Sequence, residues 1–231
     1  MTTIVYLGGS KGGSAKTTTA HLAALGAILR NKPAIYVVTD ATRKVRGEGR
    51  PYGVLDGRSA TNLGNILSAS RTATSGWLFL DGGGNRQALD IELASEADMT
   101  ILPFRASEED LDTVADDMRR IPNALAWPAA WTVNAFAQKT AEFYIDALAK
   151  AFPGRVITPP ISFVNSVSEL LADALGSPAT PVRSLARKVF DTIEERYDEQ
   201  QRTAPHVARE DSEDLSRALH QPASNMQDKR L

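Results

Sequence analysis

The sequence predicts an α/β protein with a doubly wound, mostly parallel sheet and helices on both faces. Three observations carry this reading. Nearly continuous apolar runs of strand length recur at residues 4–7, 34–39, 76–80 and 99–104, as strands buried on both faces require. Stretches with helical spacing separate them. The first run passes directly into residues 8–19, GGSKGGSAKTTT, and then into the helix-like residues 20–29. A strand, a glycine-rich turn and a helix start in that order form the geometry of a phosphate-binding loop.

Composition narrows the classes. A chain of 231 residues can bury one α/β core. The absence of cysteine removes disulfides, a thiol nucleophile and thiolate metal sites, and fits a reducing cytoplasm. No apolar run approaches the ~20 residues of a membrane span, and the first residues read as a core strand, not a signal peptide. A net charge of -2 argues against a surface that coats nucleic acid, so any DNA contact must come from a local basic patch.

In a phosphate-binding loop, backbone N–H groups and the helix N-terminus face the anion and a lysine reaches the terminal phosphates. Lys16 is placed to be that lysine. Thr17 then supplies a hydroxyl for magnesium, which takes oxygen ligands and bridges phosphate oxygens. Ser10 and Ala15 stand where the pattern G-x-x-x-x-G-K-S/T has glycine.

Residues 11–18, KGGSAKTT, resemble the deviant Walker A box KGGxGKTT of the ParA/MinD family of partitioning and positioning ATPases. The resemblance implies ATP and Mg²⁺ as cofactors, with Gly12, Gly13, Ser14, Ala15, Lys16, Thr17 and Thr18 around the nucleotide. It makes Lys11 the signature lysine that crosses a dimer interface to the partner's nucleotide, with no evident partner inside its own subunit. Ala15 departs from the family, and its Cβ is expected to crowd the loop and weaken binding.

The remaining elements follow in order. Residues 31–33 end the first helix, and the second strand delivers Asp40 to the sheet edge where ligands of such folds sit. The family has D-x-D there, its second aspartate orienting the attacking water, whereas this chain reads Asp40-Ala41-Thr42. A hydroxyl can hold water but is no base at neutral pH, so hydrolysis is expected to be slow or to rely on Asp40. A turn cap is the other reading of Asp40. Residues 43–58, with five arginines and lysines among glycines, read as a long surface loop that either touches DNA phosphates or is simply solvated.

Residues 62–70 read as a packing helix. The strand at residues 76–80 ends in Asp81 and three glycines, which resemble the Walker B aspartate, holding the magnesium's water shell, and a switch loop that senses the γ-phosphate. A helix at residues 89–97, a strand at 99–104 and a helix capped by Ser107 follow. A strand at residues 131–133 ends in Asn134, where the family often has an asparagine on the adenine edge; a turn residue is the alternative. After a helix at 143–152, a last strand at 155–161 runs into a loop at Pro160 whose backbone, in the family, contacts the base. Residues 170–178 and a closing helix at 182–196 complete a resemblance that spans residues 2–196.

The expected domain is therefore residues 1–197. Residues 198–231 lack the apolar content to fold alone and read as a disordered tail in which His206 and His220 are solvated. Arg183, Arg187 and Lys188 share a helical face and are the DNA candidates, the alternative being surface charges paired with Asp191, Glu194 and Glu195. The resemblance implies a cytoplasmic, nucleoid-associated ATPase that forms a homodimer with ATP, binds non-specific DNA or a protein scaffold, and is stimulated by a partner protein. Such a switch positions or segregates plasmids, chromosomes or transfer machinery. Two alternatives stay open: a nucleotide-binding interaction protein that hydrolyses poorly, favoured by Ala15 and Thr42, and a metabolic P-loop ligase. The ligase needs a second pocket for a small substrate, and no residue cluster for one is legible.

Overall fold

The computed structural model describes residues 1–84, 87–129 and 135–203. Strand β1 (Thr3–Leu7) is buried at every position and lies inside a six-stranded sheet. Helix α1 (Lys16–Leu29) carries the chain to β2 (Ala34–Val38), and β3 (Gly53–Asp56) extends the sheet to one edge. Helix α2 (Ala60–Thr72) returns to β4 (Trp77–Asp81), which inserts between β1 and β2. Then α3 (Gln87–Glu96), β5 (Met99–Phe104), α4 (Glu108–Arg120), β6 (Leu125–Pro128) and α5 (Ala135–Ala151) build outward on the other side of β1. The order β3-β2-β4-β1-β5-β6 is parallel throughout, with registers such as Leu7 beside Asp81 and Val38 beside Asp81. Because the chain leaves β1 in one direction and later returns to its other side, the loops after β1 and β4 diverge, which opens a crevice at the strands' C-terminal edge.

Alternation along the strands sorts the core into two layers. Ile4, Tyr6, Val37, Leu78 and Leu80 point to one face and pack with Leu63 of α2 and Leu93 of α3. Leu102, Phe104 and Ala126 continue that face against Val114, Met118, Ile145 and Leu148 of α4 and α5. On the opposite face lie α1 and α6 (Thr180–Thr203), with Trp77 edge-on to Phe190 and His21 stacked on Tyr36. The two helices touch at Gly26, where a Cβ would lie 2.0 Å from the Ala186 carbonyl oxygen. Only glycine permits that approach. No described helix is long and apolar enough to cross a membrane.

Three expectations need correction. Residues 43–58 are not all loop, since β3 pairs with β2 along Gly53–Asp56. This edge strand has one half-exposed face and two apolar residues, so backbone pairing and not an apolar run defines it. The segment at residues 155–161 is no strand: Val156 makes a single bridge to Ala126, and Pro159 and Pro160 have no N–H to continue a ladder. The sixth strand stands at Leu125–Pro128, upstream of the expected one. The expected strand at 131–133 and its Asn134 lie outside the described residues, as do Asn85, Arg86 and both tail histidines. The closing helix is longer than expected at both ends, and a short 3-10 helix, Asn165–Leu171, precedes it.

Candidate nucleotide-binding site

The loop between β1 and α1 rests on the ring of Tyr6. A Cβ at Gly8 would fall 2.4 Å from that ring, and one at Gly82, in the loop after β4, would fall 2.7 Å from its hydroxyl. Glycine at both positions lets the two loops descend onto the same buried side chain. Ser10, at a glycine position of the usual pattern, is explained by its neighbour: its N–H and hydroxyl donate to Asp117 Oδ2 of α4 at 2.8 and 3.0 Å. Ala15 has left-handed backbone angles, φ 73° and ψ 15°, as the residue that caps α1. An alanine held there costs about 1–2 kcal/mol relative to an unstrained conformation.

Lys16 is 6% exposed, and its ammonium donates to the Lys11 carbonyl at 2.6 Å and to Ser14 Oγ at 3.3 Å. Burial lowers its pKa, while the carboxylates of Asp81, Asp90 and Asp117 oppose that shift. Thr17 donates its hydroxyl to Asp81 Oδ1 at 3.1 Å, and Tyr36 donates to Asp81 Oδ2 at 2.6 Å. Asp81 is fully buried, and burial raises its pKa against the lowering effect of these two donors, Arg43 and Lys16. A buried lysine beside a buried aspartate and hydroxyl is costly for a fold to keep and useful for holding a polyanion with its cation.

The residues around them enclose a cavity of about 340 Å³. Gly12 to Thr19 form one wall, Asp40, Arg43, Gly82, Gly84 and Arg105 surround the phosphate-loop end, and Ile161, Phe163, Val164 and Leu185 provide an apolar end. Phe163 is 57% exposed there. The donor set fits a magnesium nucleotide: Thr17 and Asp81 offer two oxygens, and Mg²⁺ completes its shell from phosphates and water, not from a protein cage. Among the described residues no group of three or more His, Asp or Glu could hold a metal by itself.

The cavity brings together seven of the residues singled out in the loop, Gly12 to Thr18, together with Asp40. Pro160 is not in its lining; the neighbouring Ile161 is. Thr42 lies outside it and donates its N–H and hydroxyl to Asp40 Oδ1 at 2.9 and 2.7 Å, so Asp40 caps a turn, with Arg43 Nε 3.5 Å from its other oxygen. Lys11 has partners within its own chain, contrary to expectation: it pairs with Glu109 at 2.9 Å and with Asp110, both in the first turn of α4. These carboxylates raise the Lys11 pKa, and they sit at a helix N-terminus where acids are favoured. On α6, Arg183 and Lys188 are exposed and Arg187 half-buried. Two of their three expected partners are engaged elsewhere, Asp191 with Arg30 and Glu194 with Lys32.

Sequence reasoning missed Arg43 and Arg105 as cavity residues, Tyr36 as the second donor to Asp81 and Asp117 as the loop's anchor. Arg105 follows β5 directly, and its position at the C-terminal edge was a usable signal. The others meet the site only through tertiary contact.

No family model matches the chain, and no curated protein matches it by sequence. Solved structures match in fold. Apo McdA from Cyanothece aligns at TM-score 0.61 and 14% identity over 84% of this chain and 100% of its own, and the same protein is also matched as an ATP complex. Cobyrinic acid a,c-diamide synthase from Mycobacterium smegmatis, with bound ATP analogue and magnesium, aligns at 0.55 and 15% over 85% and 96%. pNOB8 ParA bound to non-specific DNA aligns at 0.59 and 11% over 86% and 99%. The chain has the fold of the ParA/MinD-type P-loop ATPases.

Proposed function

We propose that this chain is a ParA-like ATPase whose nucleotide state controls its self-association and its hold on DNA or a protein scaffold. One observation supports the reading above the others: the buried Lys16 and Thr17 line one cavity at the sheet's C-terminal edge, and the buried Asp81 stands directly behind them, accepting the Thr17 hydroxyl at 3.1 Å. Phosphates would lie on the N–H groups of residues 12–18 with Lys16 turning from its carbonyl to them, and the adenine would meet the apolar wall at Ile161 to Val164. Thr17 and Asp81 would hold magnesium, which would supply positive charge to the terminal phosphate.

In this reading Lys11 exchanges Glu109 and Asp110 for the partner subunit's nucleotide, so dimerisation must overcome its ion pairs within the chain. Arg183, Arg187 and Lys188, with the neighbouring Asp191 and Glu194 engaged elsewhere, would then face DNA phosphates, and a dimer doubles the patch. Plasmid, chromosome or machinery positioning, nucleoid association and a hydrolysis-stimulating partner belong to the same proposal. The test combines light scattering and gel shifts in ATP analogue, ADP and no nucleotide. Lys11→Ala should bind nucleotide and lose analogue-dependent association, and Arg187→Glu should weaken binding to all DNA sequences alike. A wild type that stays monomeric with the analogue overturns the switch.

One observation favours a second reading, a nucleotide-binding interaction protein that hydrolyses poorly. The Thr42 hydroxyl proton is committed to Asp40, which leaves no carboxylate at the water-orienting position of the family. Thr42→Asp should raise ATP turnover; an unchanged rate with binding intact would show that another group fills the role.

A further inference from the structure

Residues 43–50 border a second cavity, of about 290 Å³, beside the first. Arg43, Lys44, Arg46 and Arg50 line it, above a floor that includes His21 and Tyr36, and no carboxylate belongs to its lining. Three acids approach these cations from outside the cavity: Asp40 pairs with Arg43 at 3.5 Å, Asp173 pairs with Arg46 at 2.6 Å, and the buried Asp81, behind Thr17 and Tyr36, lies in the field of Arg43 and of Lys16. Among the described residues, Lys44 and Arg50 have no carboxylate within salt-bridge distance. The floor's own side chains are uncharged. Burial, reinforced by Arg50 and Arg43, pushes the His21 pKa down to about 3, and burial raises the Tyr36 and Tyr52 hydroxyls, so no phenolate forms.

Arg50 is the central observation. Its Nη2 donates to the carbonyls of Leu170 and Ala172 at 2.9 and 3.0 Å, which fixes the guanidinium in place. Its Nε and Nη1 are shielded from solvent and have no hydrogen-bond partner among the described residues. Buried donors of a charged group are seldom left unpaired, and a held guanidinium with free N–H groups matches the oxygens of a phosphate or carboxylate. Arg46 is fixed in the same way, its Nη1 donating to the Leu171 carbonyl at 2.7 Å.

We propose that this cavity is a second anion site, which takes a small phosphate monoester or free phosphate in addition to the nucleotide. A phosphate dianion matches the two cations without an acid partner, Arg50 and Lys44, which supply the donors. The cavity's size and its buried floor of His21 and Tyr36 suit a compact ligand. Thr17 and Arg43 line both cavities, so the site is placed to report a metabolite to the nucleotide pocket next to it.

The experiment is calorimetric titration of the full chain with inorganic phosphate and, separately, with 3-phosphoglycerate. It is run on wild type with and without saturating magnesium and non-hydrolysable ATP analogue, and on Lys16→Ala, Lys44→Ala and Arg50→Met. Saturable binding of at least one probe should persist with the analogue and in Lys16→Ala, and weaken about tenfold in Arg50→Met and about threefold in Lys44→Ala, as expected for loss of charge-assisted donors. Should Arg50→Met fail to fold, Lys44→Glu carries the test, with loss of binding expected. No binding of either probe overturns the site. Binding abolished by Lys16→Ala but kept in Arg50→Met and Lys44→Glu also overturns it, because the anion then sits in the phosphate loop. A duplex oligonucleotide that displaces the probe and depends on Lys44 and Arg50 overturns the small-molecule assignment. Because the Lys16→Ala arm needs no nucleotide, failure of the ATPase reading and failure of this site are read separately.

Discussion

Lys16 and His21 lie little more than one turn apart on α1 and are equally buried, at 6% and 5% exposure, yet their surroundings are opposite. Lys16 sits in the field of Asp81, Asp90 and Asp117, which favours its charge. His21 sits near Arg50 and Arg43, which oppose any charge, and it is held by the Tyr52 hydroxyl at 2.8 Å and by stacking on Tyr36 at 4.0 Å. The fold therefore carries a buried cation at one position and a neutral ring at the next turn. Burial alone does not mark a ligand-binding group; burial with a retained charge does.

The largest expected effect tests the charged side. Lys16→Ala should lower ATP affinity about a hundredfold or more, since several charge-assisted hydrogen bonds of about 1.5–3 kcal/mol each are lost. Calorimetric titration measures it. His21→Leu should leave affinity nearly unchanged, and an equal loss there would break the contrast.

The neutral side is tested by acid. The His21 pKa falls from 6.5 in the unfolded chain to about 3 when folded, so the unfolded state binds more protons between those values. The stability of neutral His21 is present above pH 6.5 and lost as pH falls toward 3, at up to about 1.4 kcal/mol per unit. Urea midpoints across that range should flatten in His21→Leu.

Asp81 should behave with the opposite sign. Its pKa is raised by burial, so without nucleotide its contribution is greatest at low pH and is lost as pH rises through the folded pKa. Magnesium nucleotide requires the carboxylate, so ligand-induced stabilisation should grow over the same window. Melting temperatures with and without magnesium ATP analogue measure both slopes, and Asp81→Asn should remove both. The smallest effect concerns the loop between them. Ala15→Gly relieves a left-handed alanine at some cost in unfolded-chain entropy, for a net gain of up to about 1 kcal/mol in urea denaturation. A net loss would mean that the Cβ of Ala15 is packed and useful.

Legibility followed the range of the interaction. The phosphate loop was legible because its geometry is local: residues 8–19 set strand end, turn and helix start within one contiguous segment. Ser107 was legible as a cap for the same reason, and it accepts the Asp110 N–H at 3.3 Å. The edge elements were not. β3 has too few apolar residues to announce itself, and residues 155–161 have a strand's composition without a partner along most of their length.

What the sequence determined by itself was the order of the four central strands, the α/β class and the placement of Lys16, Thr17 and Asp81 at one sheet edge. Continuous apolar runs and glycine turns are written in adjacent residues, and parallel connectivity leaves few topologies to choose from. What only the tertiary structure decided was which charge meets which. Lys11 with Glu109 and Asp110, Ser10 with Asp117, Asp81 with Tyr36 and Arg50 with the carbonyls of Leu170 and Ala172 join residues tens of positions apart. Electrostatic partners depend on distances of a few ångströms between side chains, and those distances exist only once the sheet has brought its loops to a common edge.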